Sequence, residues 1–446
     1  MQPTNELSIY QKPITFRAVI GFTAPTVLMI LVQSSYSMID GIFIANLLGS
    51  QALSALTLIS PYFSLFMAIA AMFASGGSAV VMKKMGEKRE TEARKDFTML
   101  LLANLGVGAL LTVGALAFAG PLTAVFGASQ AVTACCREYL WAYGFFIIPQ
   151  LLFSNLQIYT IASGKTGRAM FSAVFGGIFN IVFDYLLIAV FRWGMTGAAL
   201  ASGVGMLLPC LLLAFPLFRR ENMLHITVPQ FRRSVLIKTV TNGFSEFSSN
   251  LISGVVMLLF NARMLAIAGE NGVAASTITF YVFGLMSALY MGYMFGVSPL
   301  LSYFYGAGDT AKMKKLRAIS LQFIALVAVV TTALSLFGSA ALVSVFAQPG
   351  SAAYALAVNG NKLFSLALLL VGFNTFSSML FTALSNGKIS AIIAFSRTFV
   401  FLVAAIVVLP VLWGINGLWL SVPVSEGMAL LLSAYFIRRY QKQYGY

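Results

Sequence analysis

The feature that most constrains this chain is a rhythm: apolar runs long enough to cross a bilayer recur along its whole length, each closed by a short polar stretch that is usually basic. A spanning α-helix needs about 20 apolar residues, and lipid tolerates only segments whose backbone groups are satisfied internally. Of the 446 residues, 59% are hydrophobic and 9% charged, against roughly 25% charged in soluble domains. No soluble fold of this length hides so much apolar surface, so the chain reads as an all-α polytopic membrane protein.

The runs place helices near 14–39, 52–82, 96–118, 136–159, 168–191 and 194–218, then near 237–267, 273–304, 316–337, 357–384, 389–410 and 414–437. The first run is too long for the apolar core of a cleavable signal and reads as a retained helix. Twelve spans put both termini on one side. The termini and alternate loops hold 23 of the 28 Lys and Arg, the opposite loops only Arg137, Arg192 and Lys362, and Arg263 and Arg397 fall inside helices. That bias places both termini in the cytoplasm and gives the net charge of +15 a topological meaning rather than a nucleic-acid one.

Sliding the chain on itself by 220 residues aligns Gly49 with Gly269, Ala55 with Ala275, Gly76 with Gly296, Ser78 with Ser298 and Gly86 with Gly306. Trp193-Gly194 and Gly197 match Trp413-Gly414 and Gly417 at the same offset. Each unit holds an even number of spans, so the copies share one membrane orientation and are related about the membrane normal, as in transporters that rock two bundles around a central cavity. The domains are therefore an N-lobe over 1–218, a basic cytoplasmic linker over 219–236 and a C-lobe over 237–446. His225 reads as a linker residue, and Cys135, Cys136 and Cys210 as apolar filling, since their spacing suits neither a zinc site nor a disulfide framework.

Ionisable groups inside lipid are expensive, about 2.5–3.5 kcal/mol each on insertion scales, so each is a functional candidate. Asp40 falls near the outer end of the first helix, and Asn180 and Asp184 stand at i and i+4 on the fifth, as do Ala198 and Ser202 on the sixth. Two carboxylates, an amide oxygen, a hydroxyl and a backbone carbonyl would suit Na⁺ or hold a proton. The plainer reading makes Asp40 a helix-end residue and Asp184 a packing residue. Glu246 on the seventh helix is either a second cation or proton site, a cavity residue, or a partner of Asn242 and Asn250. Arg263, Arg397 and Glu426 are read as internal ion pairs of the second bundle. Pro25 removes a backbone hydrogen bond from the first helix and lets it bend.

These residues resemble, along nearly the whole chain, the multidrug and toxic compound extrusion (MATE) family of the MOP superfamily. The resemblance rests on two six-helix lobes, Pro25, Gln33, Tyr36 and Asp40 on helix 1, Asn180 and Asp184 on helix 5, Ala198 and Ser202 on helix 6, and Glu246 on helix 7. Ala162-Ser163-Gly164-Lys165 and its echo Leu384-Ser385-Asn386-Gly387-Lys388 add to it. It implies a V-shaped fold of twelve transmembrane helices in two pseudo-symmetric six-helix bundles, acting as an antiporter of organic cations against Na⁺ or H⁺. The coupling cation would sit at Asp40, Asn180, Asp184, Ala198 and Ser202, with Gln33, Tyr36 and Glu246 toward the substrate and Pro25 as the gating kink. The acid that some relatives carry on helix 10 is absent, where this chain offers Asn359, Asn361 and Asn374.

The expected partners are cationic amphipathic small molecules and membrane lipids, with no nucleic acid, no cofactor beyond the coupling ion, and a monomeric state in the inner membrane. The alternatives are a lipid-linked or polysaccharide flippase of the same superfamily, or a dedicated exporter of one natural product. A channel would need a filter loop and an enzyme a His, Ser or metal cluster, and the sequence offers neither.

Overall fold

A computed structural model describes residues 8–48, 50–125 and 130–446, which form helices and turns with no strand among them. The N-lobe comprises α1 (Phe16–Leu48), α2 (Ser50–Gly86), α3 (Glu90–Val125), α4 (Gln130–Gly144 and, after a 56° bend, Ile147–Ala162), α5 (Thr166–Val190) and α6 (Gly194–Phe218). The C-lobe comprises α7 (233–268), α8 (270–306), α9 (Thr310–Phe337), α10 (Ala352–Ala383), α11 (387–412) and α12 (415–444). Among the described residues, nine stretches are long and apolar enough to span and α4 adds a bent tenth. Two of the nine are helix pairs joined at Gly269 and at Trp413–Gly414, which brings the spans to the expected twelve. The protein is a multi-span membrane protein.

Helix ends move outward from the sequence reading, because backbone hydrogen bonding carries a helix past the last apolar residue. The largest consequence falls on α1, which continues to Leu48, so that Asp40 lies about two turns inside the helix rather than at its outer end. The linker likewise gives way to α7 at Arg233, not 237.

The glycines found by self-alignment serve two purposes. Gly194 and Gly414 hold φ of 58° and 56°, a left-handed conformation that glycine takes without strain, and each breaks the chain between the last two helices of its lobe. Gly269 does the same between α7 and α8, while its partner Gly49 lies outside the described residues. The other pairs mark where the lobes touch. A Cβ on Gly76 of α2 would lie 2.1 Å from the Thr239 carbonyl of α7, and one on Gly296 of α8 would lie 2.7 Å from Thr23 of α1. Gly86 and Gly306 face each other's helices, each Cβ position 2.0 Å from a backbone oxygen, of Tyr303 and Lys83 respectively. Each lobe's second helix thus lies against the other lobe's first or second helix, and only glycine admits the approach.

This seam lies toward the end that carries both termini, where two straps cross it. Ahead of α1, the turn Ser8–Gln11 buries Tyr10 against Tyr303 and Phe304 of α8, with ring centroids 4.4 and 6.4 Å away. The Tyr10 hydroxyl donates to the Ala162 carbonyl of the N-lobe, and its own carbonyl accepts from Lys312 Nζ of the C-lobe at 3.2 Å. Burial pushes that phenol well above its usual pKa, so it stays a donor. Ahead of α7, the linker lies on the opposite lobe: Arg94 Nε donates to the Met223 carbonyl at 3.0 Å, the Thr227 amide donates to Thr98 Oγ1 at 3.1 Å, and Arg232 pairs with Glu92. His225 shares a 2.9 Å hydrogen bond with the Asn222 carbonyl within the linker.

Candidate functional site

Two small-residue contacts bring the N-lobe polar groups together. On α5, Gly177 lies where a Cβ would come within 2.8 Å of the Tyr36 ring of α1, and Gly176 within 2.7 Å of the Gly205 carbonyl of α6. Helices α1, α5 and α6 therefore pack closely just below Asp40, Asn180, Asp184 and Ser202. Asn180 and Asp184 are buried, and the Asp184 carboxyl lies within the electrostatic reach of Asp40. Among the described residues, Asp40 Oδ1, Asn180 Oδ1 and both Asp184 oxygens are buried with no hydrogen-bond partner. An unsatisfied buried acceptor costs about 1–3 kcal/mol and more when charged, so this group of oxygens favours a proton or a small hard cation. Ala198 is buried in the apolar cluster beneath it.

Three tyrosines enclose the acid pair. Tyr36 of α1 and Tyr139 and Tyr143 of α4 all lie within the electrostatic reach of Asp40, and Tyr139 lies beside Ser202. The Tyr139 and Tyr143 rings stack 5.7 Å apart, with Phe63 of α2 edge-on to both. The Tyr143 hydroxyl donates to Gln150 Oε1, which connects this wall to the central cavity. Sequence reasoning missed Tyr139 and Tyr143. Their i,i+4 spacing was the available signal, but a tyrosine pair on a membrane helix ordinarily reads as packing or interface.

Between the lobes lies a cavity of about 360 Å³. Gln33, Tyr36, Gln150 and Gln157 line its N-lobe side, Glu246, Asn250 and Thr375 its C-lobe side, and Met67, Met206, Met291, Met294 and Met379 much of the rest. Gln33 Nε2 donates to Gln157 Oε1 at 3.3 Å. Methionine walls adapt to ligands of different shape. Asn242 accepts from the Gly387 amide at 3.1 Å and Asn250 donates to the Glu246 backbone carbonyl at 2.8 Å, so neither occupies the Glu246 carboxylate. Pro25 lies inside α1 beside Thr26, whose hydroxyl donates to the Gly292 carbonyl of α8 at 2.7 Å. The proline's freed backbone thus sits where α1 meets the other lobe.

Of the expected C-lobe ion pairs, Arg397 and Glu426 stand 3.8 Å apart, whereas Arg263 is exposed on its helix, apart from them. On α10, Asn374 donates to Glu426 Oε2 at 2.7 Å, while Asn359 and Asn361 bond to Asn416 and to Ser335 and Ser339.

Twelve spans in two like-oriented halves, closed on each other at one end around a polar cavity, define a membrane transporter rather than an enzyme. The MatE family model matches residues 25–186 and 245–408, two matches that begin 220 residues apart, as the self-alignment does. The chain belongs to the MatE family. It is 23% identical over 419 residues to the multidrug export protein MepA of Staphylococcus saprophyticus, covering 93% of this chain and 90% of that protein. The MepA of Staphylococcus haemolyticus is 23% identical, with 97% and 95% covered. The fold superposes on the crystal structure of MATE in complex with MaL6 with a TM-score of 0.94 at 21% identity, 99% of each chain covered. It also superposes on the outward-facing conformation of a multidrug resistance MATE family transporter of the MOP superfamily with a TM-score of 0.93 at 22% identity, 100% and 99% covered.

Proposed function

We propose that the chain exports cationic amphipathic compounds across the cell membrane in exchange for inward Na⁺ or H⁺, with both termini in the cytoplasm. The observation that carries this reading is the set of buried, partnerless oxygens on Asp40, Asn180 and Asp184 in the lobe that also lines the inter-lobe cavity. The MepA relatives, named as multidrug exporters, support it.

Antiport then follows from competition. With the lobes open to the outside, a proton or Na⁺ enters the oxygen cluster and neutralises the negative charge that otherwise holds a cationic cargo near Tyr36 and Glu246, and the cargo leaves. Neutralising the acids relieves their desolvation and lets α1, weakened at Pro25, bend so that the glycine seam opens on the cytoplasmic side. A coupling of about 1–3 kcal/mol between ion and cargo suffices for useful exchange.

The test is ethidium efflux from energised cells making the wild type or Asp40→Asn, with the Na⁺ and proton gradients varied separately. Wild-type efflux that follows one gradient, and its loss in a variant still present in the membrane, support the reading and identify the ion. Efflux by Asp40→Asn at the wild-type rate overturns the site.

A further inference from the structure

The acids of the two lobes differ in one respect that the export reading leaves unexplained: the C-lobe acid Glu426 has a cation beside it, and the cavity acid Glu246 shares that cation's field. Arg397 lies in the π-helical turn Ser396–Phe401 of α11, a rare geometry that appears frequently at functional sites. Its guanidinium donates to Thr375 Oγ1 at 2.7 Å and stands 3.8 Å from Glu426 Oε1, with the Arg397 and Glu426 side chains only 16% and 9% exposed. Glu426 is held from behind: Asn374 Nδ2 donates to its Oε2 at 2.7 Å and to its backbone carbonyl at 2.8 Å, and Ser433 donates to Asn374 Oδ1 at 3.1 Å. Thr375 lines the same cavity as Glu246, and the field of Arg397 reaches Glu246.

Arg397 is ion-paired with Glu426 and acts on Glu246 through its field, across the cavity wall that carries Thr375. Glu426 is fixed by its amide donor, away from the cavity lining, and Glu246 faces the cavity. Were Arg397 not matched by Glu426, it would neutralise Glu246; were it absent, both acids would stand uncompensated. We propose that the Arg397–Glu426 pair is a specificity determinant that sets the charge of the cargo: by cancelling each other, the two residues leave Glu246 as a single negative charge on the C-lobe wall, which matches a monocation. This rests on the export reading above and adds to it the charge class of the cargo and the residues that select it.

Ethidium and propidium test it, because they share one phenanthridinium ring system and differ by one positive charge. Fluorescence titration of the full-length purified protein with each dye gives the ratio of their affinities. The wild type is expected to favour ethidium. Arg397→Gln leaves two acids and is expected to shift the ratio toward propidium by at least about tenfold, whereas Glu426→Gln frees the guanidinium to face Glu246 and weakens both dyes, propidium more than ethidium, so that the ratio moves the other way. The double variant Arg397→Gln with Glu426→Gln restores one net acid and is expected to return the ethidium preference. Opposite effects of the two single changes and their mutual rescue cannot come from a pair that only holds helices together, for which both singles would fail alike. An unchanged dye ratio in Arg397→Gln with ethidium binding intact overturns the charge-selection proposal and leaves the export reading standing. A wild type that binds neither dye overturns the export reading, and this proposal with it.

Discussion

The two lobes share a backbone plan but treat their acids in opposite ways. In the N-lobe, Asp40 and Asp184 face each other, their buried oxygens lack donors, and among the described residues no Lys or Arg pairs with them. In the C-lobe, Glu426 is bonded to Asn374 and stands beside Arg397, and only Glu246 faces the cavity uncompensated by a close ion pair. Internal symmetry therefore does not impose equal chemistry. On the proposed exchange reading, an acid pair such as Asp40 and Asp184, with no protein partner, takes its proton or ion from outside, whereas the matched Arg397–Glu426 pair stays charge-stable through a cycle. That reading assigns the driving step to the N-lobe and the holding of cargo to the C-lobe.

The sharpest way to break this contrast is Asp184→Asn, which removes one of the facing carboxylates. Gradient-driven ethidium efflux should fall to the background of cells without the protein, while membrane level and thermal midpoint hold or rise, since a buried charge without a counter-ion has been removed. Glu246→Gln should weaken ethidium binding by about tenfold and leave the ion dependence of the remaining efflux unchanged. An altered ion dependence would make the C-lobe a second driving site and erase the distinction.

Tyr139→Phe removes the hydroxyl beside Ser202 and the acid pair and should slow efflux by about three- to tenfold, the scale of one polar contact of about 1 kcal/mol. Its effect should appear in the ion concentration giving half-maximal efflux rather than in dye affinity. The smallest effect belongs to Tyr10→Phe, which keeps the ring against Tyr303 but loses the hydroxyl bond to Ala162. The thermal midpoint should drop by about 1–2 °C. A larger fall, or dye leaking inward, would make this strap part of the closure at the end that carries both termini.

The intramembrane acids were legible because a carboxylate in an apolar run is conspicuous, and Asn180 with Asp184 because i,i+4 spacing fixes them on one helix face. Arg263, Arg397 and Glu426 were legible as ionic candidates for the same reason, but not which arginine Glu426 meets. Tyr139 and Tyr143 were not, because an aromatic residue in a membrane helix is common and nothing in its own helix reveals which acid it will face. Gly76, Gly86, Gly296 and Gly306 were found as a repeat, yet self-alignment reports likeness and not contact, so their place at the crossing of the lobes had to come from the structure.

Sequence alone determined the membrane class, the twelve spans, the duplication and the list of costly polar groups, because each follows from local apolar length, periodicity and charge, which need no partner to be read. Only the tertiary structure decided which groups meet: Asp184, Tyr139 and Tyr143 in the field of Asp40, Arg397 with Glu426 rather than Arg263, and each strap on the opposite lobe. Those contacts depend on where helices far apart in the chain cross, and the crossing points are set by glycine backbones: Gly176 and Gly177 within the N-lobe, and Gly76, Gly86, Gly296 and Gly306 between the halves.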